Sequence, residues 1–139
     1  MIAAARPIAR IATLTPLVLV LACGNGDDVP EDERMRQISG IAELATNAYA
    51  AAGPEGLHDY LSRDLAGRCS KDALVAALGD QPDPEGFRGV TNAQVDGDEA
   101  RADVTQLFGE DERSVEWHFV LEDDSWRITS VPGLEECGN

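Results

Sequence analysis

The spacing of apolar residues predicts a long amphipathic helix in the first half of the chain. Between residues 33 and 52 they recur at steps of three and four, which places them on one helix face. The positions are Met35, Ile38, Ile41, Ala42, Ala45, Ala48, Tyr49 and Ala52. Asp32 can cap the start of this helix, and Gly53 followed by Pro54 ends it. We therefore predict a helix over residues 33–52.

Two shorter helices are predicted after it. The first carries Leu57, Tyr60 and Leu61 on one side. The second begins after Ser70, whose hydroxyl can cap it, and stops at Gly79. Prolines and glycine at residues 81–86 are incompatible with either helix or strand, so we predict a loop there.

From Phe87 onward the pattern changes to the two-residue alternation of strands. Asp96-Gly97 is a strong hairpin signal, and further turns are predicted at residues 109–112 and 122–125. The apolar positions of the alternation are Ala100, Ala102, Val104, Val115, Trp117, Phe119 and Leu121, with residues 126–131 closing the pattern. We predict a meander of three or four antiparallel strands with helices packed on its apolar face, which is an α+β fold.

The N-terminal segment has the layout of a secretory signal. Residues 1–22 contain no acidic side chain, Arg6 and Arg10 supply a basic region, and residues 11–22 are apolar. A transmembrane anchor is the alternative interpretation, but spanning a bilayer needs about 20 apolar residues, and Pro16 interrupts this run.

The end of that segment, Val20-Leu21-Ala22-Cys23, resembles the bacterial lipobox. The resemblance implies cleavage between Ala22 and Cys23, attachment of membrane lipid to Cys23, and an extracytoplasmic, membrane-anchored protein. The alternative is a secreted protein that is cut near Ala22 and leaves Cys23 as an unmodified thiol. The domain organisation is then a signal peptide at 1–22, a flexible acidic tether at 23–32 and one α+β domain at 33–139.

With Cys23 assigned to lipid attachment, Cys69 and Cys137 remain. In an exported protein an even pair of this kind predicts a disulfide bond. Two buried thiols or a metal site are the alternatives. The sequence has no C-x-x-C pair, and His58 and His118 are far apart, so we predict no metal site.

The charge balance excludes one class of partner. The chain has 26 Asp and Glu residues against 11 Lys and Arg, a formal net charge of −15. Nucleic-acid binding through phosphate contacts requires clustered cations, so we expect no such partner. The acidic residues cluster in predicted turns without the spacing of a calcium loop, and we interpret them as solvated turns.

Two hairpins carry a resemblance to a known family. Residues 90–104 and 116–128 resemble hairpins of the nuclear-transport-factor-two-like family, and in particular of small bacterial lipoproteins that contain such a domain. The likeness extends over residues 34–131 and implies a cone-like α+β domain. It departs from the family in its first strand, for which we find only residues 87–90. Family members include isomerases and dehydratases with Asp, Tyr or His inside the cone, and also binding or assembly modules without chemistry.

No residue pattern supports catalysis or a cofactor. His118 alternates with Trp117 and Phe119, so it should face away from the core, and Tyr49 and Tyr60 lie on apolar stripes. The leading hypothesis is a lipid-anchored, non-catalytic module that binds a small apolar ligand or an envelope protein. The alternatives are an envelope assembly or dimerisation module, for which an exposed apolar sheet face around Val120 and Val131 would argue, and an isomerase or dehydratase.

Overall fold

The computed structural model describes residues 30–137 of the chain. Within this range four helices precede four strands. They are α1 (Glu31–Ala52), a 3₁₀ helix (Pro54–Tyr60), α2 (Arg63–Arg68), α3 (Lys71–Leu78), β1 (Gly86–Asp96), β2 (Glu99–Phe108), β3 (Asp111–Glu122) and β4 (Ser125–Ser130). The predicted α+β class, with helices followed by an antiparallel meander, is confirmed. The predicted signal peptide, the lipidation site Cys23, the cleavage site at Ala22 and most of the tether lie outside the described residues.

The helix α1 begins at Glu31, two residues before the predicted start, so Asp32 lies in its first turn rather than capping it and residues 31–32 belong to the helix instead of the tether. The boundaries of α3 follow the local signals closely. The Ser70 hydroxyl accepts a hydrogen bond from the Ala73 amide and caps α3, and Gly79 ends that helix as predicted. The prediction missed α2, which the Ser62 hydroxyl caps by accepting from the Leu65 amide. None of the helices within residues 30–137 combines the length and apolar character needed to cross a bilayer.

The strands form one sheet in the order β1-β2-β3-β4, with every neighbouring pair antiparallel. The β2–β3 register is unbroken over ten pairs, from Glu99 opposite Val120 to Phe108 opposite Asp111. The predicted separate first strand at residues 87–90 is wrong, because these residues belong to the 11-residue strand β1. β1 has two register shifts, at residues 87–89 and 91–94, and such irregularities bend a strand, which is why its alternation was hard to follow in the sequence.

The hairpin turns use left-handed backbone conformations. Gly97 (φ 64°) and Asp98 form the first two-residue loop, so the turn lies one residue beyond the predicted Asp96-Gly97 pair. In the last hairpin both central residues, Asp123 (φ 49°) and Asp124 (φ 65°), are left-handed, as a type I′ turn requires. Asp tolerates this region better than most residues, which accounts for part of the acidic residues found in turns.

The core lies between the helical layer and one face of the sheet. The helix α1 contributes Ile38, Ala42, Ala45 and Tyr49. The sheet contributes Ala100, Ala102 and Val104 from β2, Trp117 and Phe119 from β3, and Trp126 and Ile128 from β4. These are the positions that the period-2 alternation assigned to the apolar face.

The C-terminal segment is fastened to the helices. Cys69, directly after α2, and Cys137 are both buried with their Cα atoms 5.4 Å apart, and their sulfur atoms are at bonding distance. The Arg68 guanidinium also donates to the Cys137 carbonyl at 3.3 Å. The two cysteines that were predicted to pair therefore lie at disulfide distance from each other.

Removing this bond should destabilise the domain. The cysteines are separated by 68 residues, and closing a loop of that size restricts the unfolded chain by about 4 kcal/mol in the chain-entropy model. We expect Cys69→Ser with Cys137→Ser to lower the free energy of unfolding by about 2–4 kcal/mol in urea titrations followed by tryptophan fluorescence. A reductant should shift the wild type similarly and leave the double variant unchanged. Finding both thiols free in peptides mapped without reduction would contradict this prediction.

Candidate functional site

The inner face of the sheet is not fully covered by helices. At the end of the sheet where β2 turns into β3, it leaves a cavity of ≈ 200 Å³, which we call the β2–β3 cavity. Much of its wall is apolar, formed by Leu78, Pro82, Pro84, Val115, Val131 and Pro132. The cavity is therefore bounded by the sheet, the loop after α3 and the segment after β4.

The strand periodicity explains which side chains the sheet contributes. Gln106 and Phe108 come from β2, and Arg113, Val115 and Trp117 come from β3. Residues two apart along a strand share a face, and Gln106 is paired with Arg113 across the two strands. The cavity thus contains polar groups at positions that continue the apolar face of the core.

A buried hydrogen bond between the sheet and α1 fixes one of these groups. The Gln106 amide nitrogen donates to the Thr46 hydroxyl at 2.9 Å, and both side chains are buried. Because a polar pair removed from water has few alternative partners, this bond holds the Gln106 amide in place beside the cavity.

Trp117 is 1% exposed, and its indole N–H has no hydrogen-bond partner among the described residues. The other tryptophan behaves differently, since the Trp126 indole N–H donates to the Gln37 side-chain oxygen at 3.2 Å. Leaving a buried donor unsatisfied costs about 1–3 kcal/mol. The indole nitrogen itself has less than 1 Å² of accessible surface, so Trp117 lines the cavity with other atoms of its ring and its N–H is an unsatisfied donor within the core.

Arg113 supplies a positive charge to the cavity lining. Its Cζ atom lies 4.7 Å from the centroid of the Phe108 ring, a cation–π distance. Within residues 30–137 it forms no salt bridge, whereas the neighbouring Arg88 pairs with Glu112 at 3.0 Å. Arg113 is an exposed residue, so its guanidinium contacts the aromatic ring while its donors are available to solvent or to a ligand.

Tyr49 projects from α1 and is 5% exposed. Burial, together with the nearby charge of Asp83, raises the pKa of its hydroxyl to about 12. The hydroxyl therefore keeps its proton at neutral pH, where it can donate a hydrogen bond but is a poor acid–base catalyst.

The other residues considered from the sequence lie elsewhere. His118 faces away from the core, as predicted, and its Nε2 lies 2.9 Å from a carboxylate oxygen of Glu116. His58 and Asp59 line a separate surface depression, and Tyr60 is half-buried. No group of three His, Cys, Asp or Glu residues in the described part of the chain is arranged to hold a metal ion.

An apolar sheet interface around Val120 and Val131 is not found. Val131 is 6% exposed and belongs to the core, and Val120 is half-buried. Beyond β4 the chain turns back toward α3 rather than continuing along the sheet, so Val131 packs inward.

The sequence analysis did not identify Gln106 or Arg113. A signal for Arg113 was present, because it precedes Val115 and Trp117 at two-residue steps and therefore shares their face. A charged residue on the same strand face as apolar residues is unusual, and it indicates a candidate functional position.

Comparison with known proteins gives little further guidance. No family model and no curated protein matches the chain. Among solved structures it is similar to a candidate NTF2-like transpeptidase from Campylobacter jejuni. The match covers 73% of this chain and 100% of the other, with 12% identity and a TM-score of 0.37.

The raised pKa of Tyr49 predicts a loss of stability at alkaline pH. The stabilisation is fully present below pH 10, the ordinary value of the group, and is lost as the pH rises toward 12. A difference of this size corresponds to about 2–3 kcal/mol at most. Urea midpoints measured between pH 8 and 11.5 should fall less for Tyr49→Phe than for the wild type. Parallel losses in the two proteins would show that Tyr49 does not contribute.

Proposed function

We propose that this protein is a lipid-anchored, non-catalytic binding module that holds a small ligand in the β2–β3 cavity. The observation that carries the proposal is the β2–β3 cavity itself, a largely apolar concavity whose lining includes the charged Arg113 and the hydroxyl-bearing Tyr49. Binding sites for small molecules are commonly apolar concavities with a few placed polar groups.

The chemistry of the lining favours binding over catalysis. An isomerase or dehydratase needs a group that titrates near its working pH and faces the substrate. The described lining residues include no Asp, Glu or His, and the hydroxyl of Tyr49 keeps its proton at neutral pH. The enzyme alternative therefore has no acid–base pair at this cavity.

The outer face of the sheet argues against the dimerisation alternative. On β2 it carries Arg101, Asp103 and Thr105, and on β3 it carries Glu116 and His118. A stable interface between copies normally has an apolar centre with few charges, which these residues do not provide. Ligand binding on the inner face is the better supported function.

Lipid anchoring at Cys23 is part of the proposal. The helix α1 begins at Glu31, so residues 23–30 would connect the acylated cysteine to the domain. Eight residues in a coil conformation would span roughly 16 Å. The anchor would thus hold the cavity near the membrane surface on the extracytoplasmic side.

Labelling tests the anchor. In cells grown with labelled palmitate, the wild-type protein should carry the label and sediment with membranes, while Cys23→Ala should lose both properties because the acceptor thiol is gone. Val75→Phe, an exposed substitution that retains the lipobox cysteine and the cysteine pair, serves as the control. An unlabelled wild-type protein would refute the anchor without bearing on the cavity.

Nuclear magnetic resonance tests ligand binding. When the ¹⁵N-labelled full-length chain is titrated with benzamide, a small neutral acceptor, the Trp117 indole signal should shift and the Trp126 signal should not, because Trp126 already donates to Gln37. Val115→Phe should fill the cavity and abolish the shift, and Val75→Phe, on an exposed site of α3, is the matched control. Failure of millimolar benzamide and of charged analogues of the same size to shift the Trp117 signal would overturn the proposal.

A further inference from the structure

Resting on the proposed function, we infer that the ligand of the β2–β3 cavity is a small carboxylate whose anionic group binds Arg113 and whose apolar body fills the cavity. The ligand class follows from the charge of the lining, the orientation of the guanidinium, the hydrogen-bonding character of the polar groups and the volume.

The charge of the lining is opposite to that of the protein. The chain has a formal net charge of −15, with 26 acidic residues against 11 basic ones. Among the described residues that line the cavity, Arg113 is the charged one, and no carboxylate accompanies it. A cation without a neutralising partner in so acidic a chain favours an anionic ligand at that position.

The Arg113 guanidinium lies over an aromatic ring in the cavity lining. Arg113 lies on the inner face of β3, and its Cζ atom is 4.7 Å from the centroid of the Phe108 ring on the neighbouring strand. This contact favours a guanidinium that lies over the ring, and its N–H groups can form two parallel bonds with a carboxylate. Less side-chain freedom then remains to be lost when the ligand binds.

One neutral polar group of the lining favours an acceptor as well. The Tyr49 hydroxyl keeps its proton at neutral pH and can donate a hydrogen bond. Asp83, whose charge contributes to the raised pKa of Tyr49, is exposed and does not line the cavity. A ligand rich in acceptor oxygens matches this set, and a cationic ligand does not.

The volume limits the size of the ligand. The cavity measures ≈ 200 Å³. An apolar cavity of about 150 Å³ in another protein accepts benzene, so the body of the ligand is on the order of one six-membered ring or a short branched chain. The wall residues Leu78, Pro84 and Val115 would contact that body. Long acyl chains of membrane lipids are too large for it.

Benzoate and benzamide have nearly the same shape and differ in charge, which makes them the test pair. In titrations of the full-length chain followed at the Trp117 indole signal, we expect benzoate to bind about tenfold more tightly than benzamide, because a charge-assisted bond replaces a neutral one. In Arg113→Gln the two dissociation constants should become equal within about twofold, since the charge that distinguishes them is gone. Arg113→Lys, which keeps the charge and loses the fork, should fall between the wild type and Arg113→Gln.

Arg101→Gln is the matched control. It removes the same charge from the adjacent strand, but Arg101 faces outward and donates to the Gln94 side chain. Benzoate should keep its preference over benzamide in this variant. If Arg101→Gln and Arg113→Gln reduce benzoate binding equally, the attraction is one of net charge and the inference is wrong.

Ligand binding in the cavity and preference for a carboxylate are tested by different outcomes. Equal affinity of benzoate and benzamide in the wild type would overturn the carboxylate inference while leaving the binding module intact. Absence of any shift of the Trp117 signal with either compound would overturn both.

Discussion

Burial of one face of the β2–β3 pair beneath the helical layer is the interaction on which the rest of the structure depends. The ten unbroken pairs of this register place Trp117 and Phe119 in the core and turn His118 outward. A slip of one residue would exchange the two sets, moving both aromatic rings into water and Glu116 with His118 into the core. The large difference in hydration free energy between these two arrangements fixes the register, and with it the position of each side chain that lines the cavity.

The cavity forms where this burial stops. Toward the β2–β3 turn the helices no longer cover the sheet, and the cover is completed by the loop after α3 and by Val131 and Pro132. Gly133 (φ +103°) allows the two segments to meet, because a Cβ atom at this position would lie 2.7 Å from the Leu78 Cδ2 atom. The Cys69–Cys137 contact holds the end of the same segment. The cysteine pair therefore supports the wall of the proposed binding site as well as the stability of the domain.

The distribution of charge distinguishes the outside of the domain from this cavity. Acidic residues occupy turns such as Asp123-Asp124, where the backbone conformation suits them, and exposed strand positions. The cavity lining instead has the donors of Arg113 and Tyr49. An acidic exterior keeps a protein soluble and slows the approach of anions, so selectivity for a small carboxylate would have to come from the local geometry around Arg113 rather than from long-range attraction.

Much of the architecture was determined by the sequence alone. The three-and-four spacing of α1, the Ser70 cap, the alternation of β2 and β3 and the pairing of two cysteines are local or compositional signals, and each corresponds to a physical preference of a few neighbouring residues. The bulged course of β1 and the short helix α2 were missed because irregular pairing and short capped turns leave weak periodicity. The cavity was decided by the tertiary structure. The packing of Phe108 beside Arg113 and the absence of a described partner for Trp117 depend on where the helical cover ends, and that boundary is set by contacts between segments far apart in the chain.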